Sequence, residues 1–422
     1  MALNRLRQLS SQLTGSSSSP PKGGLEALTQ KSPDDVVFTM AARTPLGRQY
    51  KGQFKDVPID ELLTATFKAA IAKSGVNPKI IQDVIIGNVQ MDGPNYYGRA
   101  AMLAAGMSHE TPIQTVDRFC SSGLMAVSAI SNRIRAGEID IGLAIGFEHM
   151  SQTKPSAPGK MTEGTMCCQE AADSTMPMGW TSENVAGDYK ISREEMDKFA
   201  FLSHTRASKA QQEGIYKDEI IPIEISKRDP KTGEVVGKVL VTTDDVIRHG
   251  TTLPALLKIR SAFPQWAPSQ TTGGNASQNS DGGAAVLLMR RSKAEELGLK
   301  ILGKHAGTAT VGVPPRIMGV GPVYAIPAVL RQVGITKEDV DLYEINEAFA
   351  SQYAYCIKVL GLDVEKVNVN GGAIALGHPL GATGARQVAT GMAELEKRKG
   401  KVLVTSMCMG TGMGAAAIFV RE

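Results

Sequence analysis

Two thiols and one imidazole stand in glycine-rich surroundings far apart in this 422-residue chain. They are Cys120 in Arg118-Phe119-Cys120-Ser121-Ser122-Gly123, His378 in Gly377-His378-Pro379-Leu380-Gly381, and Cys408 just before Met409-Gly410-Thr411-Gly412-Met413-Gly414. Those residue types suit carbon–sulfur chemistry on an acyl group. One thiol holds the acyl chain, the imidazole takes that thiol's proton, and the second thiol moves a proton to or from carbon.

The local sequence sharpens each assignment. Leu124, Val127, Ile130 and Ile134 form one helical stripe, so Cys120 precedes a helix N-terminus. The dipole there favours thiolate below the free value of about 8.5. An inert buried cysteine is the bland alternative, but Ser121, Ser122 and Gly123 leave room for a substrate. Glycines flank His378 on both sides, and Pro379 suits the first position of a following helix. An imidazole of ordinary basicity is matched to a thiol proton near neutral pH. Cys408 follows an apolar strand, and a second strand, not a helix, comes after its glycines. That order disfavours a phosphate loop and leaves the glycine N–H groups available to an oxyanion. Asn346 closes another strand; a helix cap is the bland alternative there, and a capping residue can still present a polar group to a site. Cys167, Cys168 and Cys356 receive no role.

The elements that must position these residues alternate. Strands are expected at Asp35–Met40, Val84–Asn88, Ile141–Phe147, Ala284–Met289, Asp341–Ile345, Val402–Met407 and Ala415–Val420. Helices are expected at 59–74, 121–136, 193–213, 322–333, 347–360 and 382–398. The pattern is that of a layered α/β fold. A faint repeat links Gly75–Asn88 with Gly334–Asn346: a helix end, an acidic link and an apolar strand closing on Asn. It suggests two similar halves. Residues 151–265 are rich in Met, Pro and charge and read as an inserted loop domain. The expected division is an extension over 1–34, an N-terminal half over 35–292 carrying the insert, and a C-terminal half over 293–422.

Composition excludes several classes. Net charge is +4, of which +3 lies in residues 1–32, so no broad nucleic-acid face is implied. The five cysteines have no CxxC spacing, which argues against a disulfide framework or zinc site. No apolar run is long enough to span a bilayer. Residues 15–24, rich in Ser, Gly and Pro, read as a linker. Before them, Leu6, Leu9 and Leu13 share a helical face beside Arg5 and Gln12, which fits a mitochondrial presequence. The same string resembles the N-terminal peroxisomal targeting nonapeptide at Arg5, Leu6, Gln12 and Leu13.

Taken together, the motifs over residues 35–422 resemble the thiolase family. The resemblance rests on Cys120-Ser121-Ser122-Gly123, Met178-Gly179 with Ser182–Ala186, Gly274-Asn275-Ala276-Ser277 with Asp281-Gly282, Asn346–Phe349, Gly377-His378-Pro379 and Cys408–Gly412. Order and spacing, including Met176-Pro177-Met178-Gly179, are similar to the peroxisomal 3-ketoacyl-CoA branch. Asp117 and Val369-Asn370 depart from common family wording. The resemblance implies duplicated α/β halves in an αβαβα core with an inserted loop domain, and a homodimer or tetramer. It implies thiolysis of 3-ketoacyl-CoA in β-oxidation, with CoA as substrate and no metal or other cofactor. Cys120 would carry the acyl group, His378 activate it and Cys408 serve carbon acid–base chemistry. Asn346 would hold a water, and Gly410 would supply an oxyanion N–H. Ser277, Arg248 and Met178 would contact CoA. An import receptor would read the extension, giving a peroxisomal location, with the mitochondrial matrix as alternative. A biosynthetic acetoacetyl-CoA thiolase and a non-catalytic acyl-CoA-binding scaffold are the competing readings.

Overall fold

The computed structural model of this chain describes residues 23–154, 158–229 and 231–422. Arg5, Leu6, Gln12 and Leu13 lie outside the described residues. Strands are β1 Val36–Arg43, β2 Gly47–Arg48, β3 Asp83–Gly87, β4 Ile113–Val116, β5 Ile141–His149, β6 Ile223–Arg228, β7 Val235–Val241, β8 Ser280–Arg290, β9 Gly303–Gly312, β10 Leu342–Ile345, β11 Val402–Met409 and β12 Met413–Arg421. The longer helices are α1 Ile59–Ser74, α2 Pro94–Ala104, α3 Ser122–Arg135, α4 Met178–Asp188, α5 Arg193–Gln212, α6 Gly321–Val333, α7 Ala350–Leu360 and α8 Leu380–Arg398.

Strand order in the large sheet is β10-β11-β12-β9-β1-β8-β5-β3-β4, with β2 on β8. The strands before and after residue 300 meet where Val37 pairs with Lys304 and Phe38 with Gly303. Successive side chains on a strand face opposite ways, and here both faces are covered. On β8, Leu287 and Met289 pack with Leu62, Leu63 and Phe67 of α1. Val286 and Leu288 pack instead with Val127 and Ile130 of α3 and Val388 and Met392 of α8. Leu403 and Phe419 of the other strand group reach the same α3–α8 layer. Val404 and Ile418 face Ile326 and Val329 of α6. The layers therefore run helix, sheet, helix, sheet, helix. Each large apolar side chain so buried contributes about 2 kcal/mol.

All seven expected strands are present, with ends shifted by a few residues. Strand β9 escapes a sequence reading because Lys304, His305, Thr308 and Thr310 break its apolar pattern; it is recruited by pairing along β12. The short β4 is recruited by β3 in the same way. The 151–265 region is more ordered than its weak periodicity suggests. It holds α4, α5 and the β6–β7 hairpin.

Two buried polar tethers join that region to the core. Arg43 of β1 donates to Glu219 Oε1 at 2.5 Å and to both Asp244 oxygens at 2.7 and 2.9 Å. Thr390 of α8 donates to the same Glu219 oxygen at 3.0 Å. Ser203 of α5 donates to Glu347 Oε2 at 2.6 Å, and Asn368 Nδ2 and the Ile374 N–H donate to the same carboxylate. Removing one partner from such a group leaves a buried charge unpaired, which costs several kcal/mol.

Candidate active site

Cys120 sits in a turn between β4 and α3, with Phe119 at φ 47°. Ser122 Oγ accepts the Arg118 N–H at 2.9 Å and donates to the Phe119 carbonyl at 2.7 Å, which locks the turn. Ser121 and Ser122 are buried. A Cβ on Gly123 would stand 2.5 Å from the Gly381 carbonyl oxygen. Gly123 thus serves backbone-to-backbone packing against α8 and Ser122 holds the turn, and with both serines buried the expectation that these residues leave space for substrate is corrected. The expected lowering of the thiol pKa is corrected as well. Burial pushes the Cys120 thiol up to about 11, and N–H donation from Gly410 and from Cys120 itself offsets this only in part. Negative Glu148 and Asp117 push in the same upward direction. A helix end lowers a thiol pKa by a modest amount, whereas desolvation of a buried thiolate is the larger effect.

His378 is buried just before α8. Its N–H donates to the Gln278 carbonyl at 2.7 Å. Thr383 Oγ1 donates its one proton to the Pro379 carbonyl at 2.9 Å. At 2.6 Å from His378 Nδ1, that hydroxyl oxygen therefore accepts from Nδ1–H. The pattern assigns the Nδ1–H tautomer and leaves Nε2 with its lone pair. Asn346 Nδ2 approaches Nε2 at 3.3 Å as a donor. Burial, with the Arg386 guanidinium beside it, pushes the imidazole down to about 3. His378 is thus a neutral, pre-oriented base, and the expectation of ordinary basicity is corrected.

Cys408 is the penultimate residue of β11 and is fully buried against Met318, Ala348 and Phe349. Burial first, and the neighbouring Cys120 second, push its thiol well above the ordinary value, so it holds its proton. Asn346 lies on the adjacent strand end, its N–H donating to the Ser406 carbonyl at 2.8 Å. Asn346 Oδ1 is buried and finds no donor among the described residues. Cys120, Cys408, Gly410, Asn346 and His378 are therefore linked through direct contacts and adjacent strand ends.

The other named residues are placed at varying removes. Ser277 donates its N–H to the Ala348 carbonyl at 3.0 Å, close to the Asn346 loop. Arg248 donates to the Gly273 carbonyl at 3.2 Å and to Gln278 Oε1 at 3.3 Å. Gln278 thus connects Arg248 to the His378 turn. Met178 lies at the N-terminus of α4, 37% exposed. Farther along α4, Val185 packs against Val313 and Val320, which flank the segment of Met318.

Thr383 and Glu148 were not picked out by sequence reasoning. Thr383 carries a signal in its place, in the first turn of the helix that follows His378. Glu148 is an acid placed directly after the apolar run Ile141–Phe147. It is fully buried. Burial pushes its carboxyl up to about 7, but N–H donors from Gly381, Gln90, Val89 and Asn88 oppose this. Because donors fill both oxygens, the ionised form is the one that fits.

Thr383→Val should release the ring from its single tautomer and slow proton abstraction by Nε2 about tenfold. Nitrogen chemical shifts of His378 would report the tautomer. A shift pattern identical to that of the unmodified chain would refute the assignment.

Comparison with known proteins agrees with this fold. Residues 36–292 match the thiolase N-terminal domain and residues 299–421 the thiolase C-terminal domain. The peroxisomal 3-ketoacyl-CoA thiolase of Yarrowia lipolytica is 49% identical over 422 residues, covering 100% of both chains. The dimeric peroxisomal thiolase of Saccharomyces cerevisiae superimposes with a TM-score of 0.86 at 47% identity, covering 94% of this chain and 100% of that one. Human mitochondrial 3-ketoacyl-CoA thiolase in complex with CoA matches with a TM-score of 0.81 at 35% identity, covering 92% and 98%. With both domains matched in order and relatives aligned from end to end, this chain belongs to the thiolase family.

Proposed function

We propose that this chain is a 3-ketoacyl-CoA thiolase that cleaves its substrate with CoA, releasing acetyl-CoA and an acyl-CoA shortened by two carbons, as a step of fatty-acid β-oxidation. The observation that carries the mechanism is a buried thiol close to a half-buried one, in a site that Asn346 joins to an imidazole whose Nε2 is left as an acceptor.

His378 Nε2 takes the Cys120 proton as the sulfur attacks the 3-keto carbon. The resting pair is uncharged, since Cys120 stays a thiol and His378 stays neutral at working pH. Charge thus arises only as the bond forms. The C2–C3 bond then breaks, and its electron pair forms the enolate of acetyl-CoA. Cys408, which enters the step protonated, delivers its proton to C2. The Cys408 thiolate next removes the proton of CoA. The CoA sulfur attacks the acyl carbonyl on Cys120, and the Cys120 sulfur leaves and recovers its proton from His378. The N–H groups of Cys120 and Gly410 serve one oxyanion. Protonated His378 serves the other, with a water held on the free Asn346 Oδ1. Each such donor contributes about 3 kcal/mol at a water-excluded site. Arg248 and Ser277, with Met178 on the insert, are the proposed CoA contacts, joined to the centre through Gln278 and Ala348.

Cys120→Ser is expected to abolish the acyl-enzyme seen by mass spectrometry after mixing with acetyl-CoA; an acylated variant of full activity would sink the assignment. Cys408→Ser should suppress proton exchange at C2 of acetyl-CoA more than acylation of Cys120. Equal loss of both would refute that division of labour.

The assembly we propose is a homodimer. Strand β4 ends the sheet order and leaves its outer edge open, and Tyr96 on the neighbouring α2 is 86% exposed. An open strand edge flanked by apolar surface favours pairing with a second copy. Sedimentation as a monomer would refute this. The proposed location is the peroxisome, supported by the relatives' names and by Arg5, Leu6, Gln12 and Leu13 as the signal an import receptor reads. Arg5→Ala should abolish peroxisomal import, and mitochondrial import of the unmodified chain would refute it.

A further inference from the structure

The proposed acyl carrier and its base belong to different halves of the fold, so something must hold the two in register. Glu148 lies at that junction. Its Oε2 accepts the Gly381 N–H at 2.9 Å and the Val89 N–H at 3.2 Å. Its Oε1 accepts the Gln90 N–H and Asn88 Nδ2, both at 3.1 Å. Gly381 is in the first turn of α8, three residues after His378. The other three donors lie just past β3, in the half that carries Cys120. Among the described residues no cation pairs with this carboxylate. Its charge is held by four N–H groups and by the positive end of a 19-residue helix.

The place of Glu148 in the duplication is also informative. The ladder of β3 and β5 ends on Gly87 opposite Gly146, and that of β10 and β11 on Ile345 opposite Ser406. One residue beyond the first strand of each pair stand Asn88 and Asn346. Two residues beyond the second stand Glu148 and Cys408. The N-terminal half thus keeps an Asn and a polar partner at the positions where the C-terminal half keeps Asn346 and Cys408.

The backbones at this junction come into close approach. A Cβ on Gly381 would lie 2.6 Å from the Gly87 and Phe147 carbonyl oxygens and 2.7 Å from Asn88 Cα. A weakened clamp leaves α8 free to move by fractions of an ångström relative to Cys120.

We propose that Glu148 is a positioning residue for thiolysis: it clamps the first turn of α8, and with it His378, onto the half that carries Cys120. The inference rests on the reading of Cys120 and His378 as acyl carrier and base.

Glu148→Gln keeps the shape but turns an NH2 group toward two of the four donors. Single-turnover acylation of Cys120 by acetyl-CoA, and kcat with it, should fall about thirtyfold, while KM for CoA stays within about twofold. Glu148→Asp, which keeps the charge, should recover part of the loss. A folded Gln variant acylated at the unmodified rate would overturn the proposal, as would a fall in kcat with acylation unchanged. If the Gln variant does not fold, Asn88→Ala decides: it removes one donor and should slow acylation about threefold, and a folded Asn88→Ala variant with an unchanged rate would overturn the clamp. Failure of the unmodified chain to acylate Cys120 would instead overturn the site reading on which the clamp depends.

Discussion

The first turns of α3 and α8 meet backbone to backbone, and the rest of the molecule is arranged around that contact. A Cβ on Gly123 would stand 2.5 Å from the Gly381 carbonyl oxygen and 3.0 Å from the Ala385 nitrogen. Only glycine allows two helix ends to come so close. Cys120 stands three residues before Gly123 and His378 three before Gly381, so the contact sets the reach between thiol and imidazole. The helix pair forms the middle of five layers, sealed by β8, β5 and β1 on one side and β11 and β12 on the other. Sheet twist, core packing and strand order matter to function because they hold this contact in place.

Burial at such a junction decides the protonation states. Cys120, Cys408 and His378 all shift toward their uncharged forms, and the leading cause in each case is loss of water. A centre that rests uncharged avoids the cost of isolated buried ions. It also keeps a proton on Cys408, where the proposed carbon acid–base step needs one. Thr383 adds what burial cannot: by donating to the Pro379 carbonyl it must accept from Nδ1, which aims the Nε2 lone pair.

Charged groups elsewhere in the core are matched with partners. Arg43 joins Glu219 and Asp244, and Arg386 joins Glu344 at 3.0 Å. The first network ties the inserted region to β1 and α8. Glu347, next to Asn346, holds Ser203 of α5, Asn368 and the Ile374 N–H. The loop bearing Asn346 is therefore braced from the insert, so a wall proposed to face CoA is continuous with the loop proposed to hold a water.

The sequence by itself determined the candidate residues, the family and most of the elements. Cys120, His378 and Cys408 could be read because their glycine settings are local, and the stripe of Leu124, Val127, Ile130 and Ile134 because helical periodicity is local. The same locality hid β9, whose polar residues take strand form through pairing with β12 and β1, and Glu148, whose four donors come from two separate segments. The sign of each pKa shift was equally out of reach. The residues around Cys120 point to a helix end that lowers its thiol, but the desolvation that raises it comes from the whole fold closing over the site. Tertiary structure decided the tautomer, the protonation states and the register of the two halves, because each depends on the distance between groups far apart in the chain.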